Sequence, residues 1–259
     1  MIYYFGYADK YSDEHDTSPT GHYPNGLFRV NPDGSFAAWV AGDFRGNGVF
    51  SNEDVYFMNI WDSDIYVYSL RDLNPISGDI IVKTSENEIN IPLAASNDFL
   101  VYSSYISGDS RDKTRIIKAD RYGNKSVIAS GDMDRVSIYD NKIYYTGIDG
   151  NLFCMTLDGQ KSERIINHAV FDYIIEDDVI YYVDHTSGHI CKAALDGGKV
   201  EQVVKSICYD VKIANNVLYY LNNNQDAIYA CYPNGEKRKV LQAVFSIEGD
   251  LTGYPVYGI

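Results

Sequence analysis

"IYYVDHTSGHICKAALDGG", Ile180–Gly198, holds two apolar and aromatic runs, a short polar gap between them, and an Asp-Gly pair that stops the second run. Short runs of β-branched and aromatic residues, broken by Gly, Asn and Asp, are strand and hairpin signals. The stretch reads as a local hairpin, as a histidine pair, or as one copy of something larger. Moved along the chain, it recurs. The second run opens at Leu27-Phe28, Ile65-Tyr66, Ile116-Ile117, Leu152-Phe153, Ile190-Cys191 and Ile228-Tyr229, at spacings of 38, 51, 36, 38 and 38 residues. Each opening is followed by a turn: Asp33-Gly34, Arg71-Asp72, Tyr122-Gly123, Asp158-Gly159, Asp196-Gly197 and Asn234-Gly235. Asp-Gly and Asn-Gly supply the positive φ that tight hairpins need. The first run recurs in step at Ile2-Tyr4, Val55-Phe57, Leu100-Tyr102, Ile143-Tyr145, Ile180-Tyr182 and Leu218-Tyr220.

Each copy reads as four strands. In the fifth these are Ala169–Ile175, Val179–Asp184, His189–Leu195 and Lys199–Lys205, here termed a to d. No segment carries a sustained 3.6-residue apolar period, so helices are not expected. A four-stranded unit of about 40 residues cannot bury both faces alone, and radial stacking of copies solves this. The expected fold is therefore all-β: a six-bladed β-propeller with four antiparallel strands per blade, in one domain spanning 1–259, with seven blades as the alternative. The first copy starts at a strand b and lacks a strand a. "AVFSIEGD", Ala243–Asp250, aligns with the strand a of the fifth copy, and is expected to pair with Ile2-Tyr4 and close the ring, removing two open sheet edges. No role is assigned to 251–259.

Bulk properties agree. The chain has 259 residues, is 45% apolar and holds 24 Tyr, a residue suited to strands that are apolar along the ring and wet at the tip. The net charge of −14 repels phosphate backbones and anionic membrane faces, so nucleic acid is an unsuitable partner. No apolar stretch approaches the length of a membrane helix, and "MIYYFGYADK" carries no signal-peptide pattern. The compartment is left open between the cytoplasm and a fragment of a cell-surface protein. Cys154, Cys191, Cys208 and Cys231 show no metal spacing and are read as reduced thiols.

Tyr181, Tyr182 and Asp184, with Val183 between them, together with Leu195-Asp196-Gly197, resemble the Tyr-Trp-Thr-Asp repeat of low-density-lipoprotein-receptor-type propellers. In the fourth copy Tyr144-Tyr145-Thr146 keep the Thr, Gly147 replaces the Asp, and Leu157-Asp158-Gly159 match the end of the repeat. The Tyr-Tyr form is closer still to that of bacterial propellers of unknown function. The resemblance implies six blades and a binding role, and does not imply catalysis.

Candidate sites are the places where the chain departs from its own template. Strands b and c are joined by long insertions at Gly6–Gly26 and Ser103–Thr114. Ten residues before the second aromatic of each strand b lie Asn47, Pro92, Arg135, Asp172 and Asp210, with Ser246 as the sixth equivalent. These sit near the start of strand a, on the face from which the b–c loops emerge, and a ring of polar groups at a concave mouth is a default ligand site. Trp61, in "WDSD", adds an aromatic on that face. The expected function is a non-enzymatic, monomeric module binding a protein, peptide or glycan through Asn47, Trp61, Arg135, Asp172 and Asp210. The alternative is a metal-assisted hydrolase or lyase using Arg135, Asp172 and Asp210. The acidic run Asp9–Asp16 offers oxygens to calcium but lacks the Gly and terminal Glu of an EF-hand loop. It is read as solvated charge, and no cofactor is expected. His185 and His189 are four residues apart but fall on a loop and a strand start rather than a helix, so they are not read as a zinc pair.

Overall fold

The computed structural model describes residues 2–7, 25–30, 38–42, 44–51, 53–59, 62–70, 79–110, 113–223 and 227–242. All regular structure among them is β-strand, apart from a single 3-10 position at Lys113, and no helix is long and apolar enough to cross a membrane. Trp61, most of the first insertion and the expected closing strand lie outside these residues.

Two compact units divide the chain, with the boundary between Gly131 and Asp132. The first holds three antiparallel sheets. One has three strands, β1 (Ile2–Tyr7), β2 (Asn25–Val30) and β3 (Ala38–Gly42). The next has β4 (Phe44–Phe50), β5 (Asp54–Asn59), β6 (Ile65–Ser69) and β7 (Asp79–Val82), and the third has β8 (Glu88–Ala95), β9 (Phe99–Ile106), β10 (Arg115–Asp120) and β11 (Lys125–Ser130). In the second unit are β12 (Asp134–Tyr139), β13 (Lys142–Thr146), β14 (Leu152–Thr156) and β15 (Ser162–Ile166); then β16 (Val170–Glu176), β17 (Val179–Asp184), β18 (Ile190–Ala194) and β19 (Glu201–Val204); then β20 (Cys208–Ala214), β21 (Val217–Asn222), β22 (Ala227–Cys231) and β23 (Lys237–Gln242).

The middle strands explain the repeated "IYY". Successive side chains of a strand point to opposite faces. Ile180 and Tyr182 of β17 join a core with Tyr144, Leu152 and Ile166 of the preceding sheet. Val183, one residue on, joins a core with Cys208, Val211 and Leu218 of the following sheet. A strand packed on both faces must be apolar throughout. Ile180 and Ile190 are wholly buried, and each such side chain contributes about 2 kcal/mol. A third core joins Tyr56, Ile65 and Val82 to Leu100, Tyr102 and Ile117 in the first unit. All four cysteines are free thiols. Cys154 and Cys191 stand directly across their ladders from Tyr144 and Tyr182, and burial pushes both thiols up.

The turns follow the residues that specify them. The pairs Asp140-Asn141, Asp177-Asp178 and Asn215-Asn216 have positive φ at both positions and join β12 to β13, β16 to β17 and β20 to β21, as type I′ hairpins require. At the next hairpin, Asp158, Asp196 and Asn234 each accept the backbone N–H two residues on, and Gly159, Gly197 and Gly235 take positive φ.

Gly197 does more than turn the chain. A Cβ at this position would lie 1.9 Å from the carbonyl oxygen of Ile165, on β15 of the neighbouring sheet. At Gly235, the same point of the next sheet, nothing lies within 4 Å. Both substitutions to Ala incur left-handed strain of about 1 kcal/mol, but Gly197→Ala adds overpacking of about 2 kcal/mol. Chemical denaturation of the two variants should show Gly197→Ala destabilised by about 3 kcal/mol and Gly235→Ala by about 1. Equal losses would mean that these sheets do not approach at this turn.

A β-bulge recurs in the inner strand of each four-stranded sheet, between Arg45 and Val49, Pro92 and Ala94, Asp134 and Ser137, Val170 and Asp172, and Tyr209 and Val211. A second bulge falls at or next to the apolar pair that marks each repeat, as at Leu152/Phe153, Ile190/Cys191 and Ile228/Tyr229. Bulges re-aim side chains and sharpen twist.

Candidate functional site

The register Val170↔Asp184 and Ile190↔Val204 puts the start of β16, the β17–β18 loop and the end of β19 at one end of their sheet. Backbone bonds tie this end to the neighbouring sheets. Val170 N–H donates to Gly150 O at 2.9 Å, and Cys208 N–H donates to Gly188 O at 2.8 Å. Asp184, the Asp of the Tyr-Trp-Thr-Asp pattern, accepts the N–H and hydroxyl of Ser187 within its own loop, and its other oxygen lies 3.0 Å from His168 Nε2. Burial by itself would raise this carboxyl, but the Ser187 bonds and His168 outweigh it and hold the group below its ordinary value.

Asp172 is the centre of the site. It is 6% exposed. Its Oδ1 accepts from Arg135 Nη1 on β12 at 3.1 Å. Its Oδ2 accepts the backbone N–H of Val211 on β20 at 2.8 Å, and Lys212 Nζ stands 3.8 Å away. One carboxylate therefore joins three successive sheets. A buried charge is tolerated when it is paired and hydrogen-bonded, and both oxygens of Asp172 are.

Arg135 is held from two further sides. It sits in the β12 bulge with φ of 48°. Its carbonyl accepts the Tyr173 hydroxyl at 2.6 Å. That hydroxyl has one proton, so Ser137 Oγ, 2.9 Å away, donates to it in turn. Burial raises the Tyr173 phenol well above its ordinary value, keeping it a donor. The Arg135 guanidinium also lies over the Phe171 ring, 5.2 Å from the centroid, and Phe171 meets Tyr209 edge to face at 5.4 Å. The bulges of β12, β16 and β20 thus present a row of Arg135, Phe171 and Tyr209, all partly exposed, on a rigid polar base. The His185 ring lies 6.4 Å from that of Phe171, tilted by 35°.

Of the residues predicted from sequence, Arg135 and Asp172 are in direct contact. Asp210 is half-buried in the β20 bulge with φ of 45°, one residue before the amide that Asp172 holds. Asn47 belongs to the first unit, in the irregular stretch of β4 between Arg45 and Val49. Pro92 is buried opposite Tyr102. Trp61 lies outside the described residues; three residues on, Asp64 is 6% exposed and accepts Thr84 N–H at 2.6 Å, in the connection between β7 and β8. The second insertion, expected as a loop over Ser103–Thr114, is shorter than that. Its first four residues extend β9 by pairing with β8, from Ile91↔Ser103 to Glu88↔Ile106. Phe171 and Tyr209 were not legible as site residues.

No family model and no curated protein matches this sequence. Solved structures do match. An oligogalacturonate lyase in complex with manganese superimposes with a TM-score of 0.67 at 14% identity, over 88% of this chain and 74% of that one. The oligogalacturonate lyase of Vibrio parahaemolyticus gives 0.65 at 13%, over 86% and 72%. A chain of the nidogen/laminin complex, a YWTD-type propeller, gives 0.57 at 12%, over 91% of both chains. The fold is that of a β-propeller. At these identities the likeness extends to the fold alone, which hosts binding proteins and lyases alike.

Proposed function

We propose that this chain is a non-enzymatic, six-bladed propeller, akin in repeat design to the YWTD type, that binds a protein, peptide or glycan across the inner-strand bulges of its second unit. The row Arg135–Phe171–Tyr209 carries the reading. It sets two aromatic rings and a guanidinium side by side, partly exposed, with the Arg135 backbone held by Tyr173 and the adjoining Val211 amide by Asp172. Rigid aromatic and Arg groups are the residues that dominate binding hot spots. Ile148, 87% exposed in the β13–β14 connection, adds apolar surface at the same end of its sheet, since Leu152 and Thr146 pair there.

The metal-assisted alternative would draw on Arg135, Asp172 and Asp210. Asp172 is already saturated by a guanidinium, an amide and an ammonium, and a metal ion would have to displace them. Among the described residues no three His, Cys, Asp or Glu side chains gather as a metal could use.

The test is binding of the intact chain to glycan and peptide arrays. Each aromatic contact is worth about 1 kcal/mol, so the Phe171→Ala, Tyr209→Ala double variant should weaken every hit at least tenfold while its melting curve stays cooperative. Hits retained at full strength would place the ligand elsewhere.

A further inference from the structure

We infer that the partner of the bulge row is a peptide segment that sets apolar side chains beside basic ones, and not a glycan; this rests on the reading of the row as a ligand face. Two loops of the second unit extend the row. The β13–β14 connection is held against the start of β16: Gly150 O accepts Val170 N–H at 2.9 Å, and a Cβ on Gly150 would lie 3.0 Å from that of Ala169. This sets Ile148 beside the strand that carries Phe171. The β17–β18 connection is held against the start of β20: Gly188 O accepts Cys208 N–H at 2.8 Å, and a Cβ on Gly188 would lie 2.8 Å from Ile207 Cγ2. Ile207 stands two residues before Tyr209. Ile148 is 87% exposed and Ile207 45%. With Phe171 and Tyr209 they make an apolar surface at one end of three successive sheets, and exposed apolar surface of this kind marks interaction sites.

Charge selects the sign of the partner. The Arg135 guanidinium is neutralised by Asp172. Asp134 stands at the end of β12, opposite Thr146, and Asp149 follows Ile148 in the β13–β14 connection. Both are exposed. Asp134 Oδ1 accepts Arg135 N–H at 2.9 Å and Asp149 Oδ1 accepts Asn151 N–H at 3.1 Å. Among the described residues neither carboxylate pairs with a cation. Lys205, also exposed, stands at the Ile207 end, so the basic side chains of the partner belong over Asp134 and Asp149. At longer range the net charge of −14 draws a basic partner in and turns an acidic one away.

The same surroundings count against a sugar. An acidic glycan meets two carboxylates that no cation offsets. A neutral glycan lays hydroxyls on Ile148 and Ile207, which return no hydrogen bond, and a polar group desolvated without a partner is costly. An aliphatic or aromatic side chain loses nothing there. Packed sheets stand about 10 Å apart, so three of them offer about 20 Å, the length of about six extended residues.

An array of hexapeptides, probed with the full chain, tests this. Two adjacent positions are Lys, Ser or Glu, and the other four vary over Leu, Phe, Tyr, Ser and Gly. Peptides that combine Lys with apolar residues are expected to bind at least about tenfold more tightly than their Glu counterparts, and than Lys peptides holding only Ser and Gly. Ile148→Ser should weaken the hits about tenfold. Asp134→Asn with Asp149→Asn keeps an acceptor for both N–H groups, so the melting curve should stay as in the wild type while the preference for Lys over Glu falls below about threefold. Equal binding of Lys and Glu peptides, equal binding of the Ser and Gly set, or hits unchanged in either variant would overturn the inference. Glycan hits lost in the Phe171→Ala, Tyr209→Ala variant, with no peptide bound, would overturn it and leave the row a ligand face. Peptide hits unchanged in that variant would overturn both.

Discussion

Removing residues 243–259 is expected to abolish cooperative unfolding. Among the described residues five sheets have four strands, while the first shows β1, β2 and β3, with β1 paired to β2. By the pattern of the other sheets, the partner expected beside β1 is an inner strand, and Ala243–Asp250 repeats the "AVF" that opens the inner strand of the fifth copy. If that segment completes the first sheet, its loss leaves one edge open and uncouples the first sheet from the last. A closed propeller removes exposed edges by closure, so the expected result is a broad, low-temperature transition with dye-accessible apolar surface. A truncated chain that melts as sharply as the full one, within a few degrees, would mean that 243–259 takes no part in closing the structure.

Asp172→Ala is the second large effect. The change removes one acceptor from three donors on two neighbouring sheets. Val211 N–H becomes a buried donor without its partner, at about 1–3 kcal/mol. Breaking one side of a buried ion pair adds several kcal/mol where both charges are desolvated. Arg135 and Lys212 are 33% and 51% exposed, so water recovers much of their share. A loss of about 3 kcal/mol is expected from denaturant titration. Asp172→Asn keeps an acceptor for Val211 N–H and should lose roughly half as much. If Asp172→Ala were as stable as the wild type, the carboxylate would not be a tie between sheets, and its burial would need another cause.

Much of the fold was legible because it repeats. The 38-residue step located the middle strands, and the apolar pair used to find it marks the outer bulge in each sheet, a place where packing recurs. Counting back reached two residues in contact, Arg135 and Asp172, for the same reason: both fall at the inner bulge of their sheets. Phe171 and Tyr209 escaped because a bulge breaks the alternation that assigns faces, so each read as one more aromatic in an apolar run. The second insertion was misjudged because β8 begins early, at Glu88, and draws Ser103–Ile106 into its ladder. Nothing local announces a partner strand of unusual length. The contact of Glu88 with Arg115 spans 27 residues and is not written in any local pattern.

The reading of the bulge row as a ligand face is tested most directly by hydroxyl-radical footprinting of the intact chain with and without its strongest array hit. Protection is predicted at Arg135, Phe171 and Tyr209, with the outer strands β15 and β19 unchanged. Protection confined to those outer strands, with the three bulge residues as reactive as in the free chain, would contradict it.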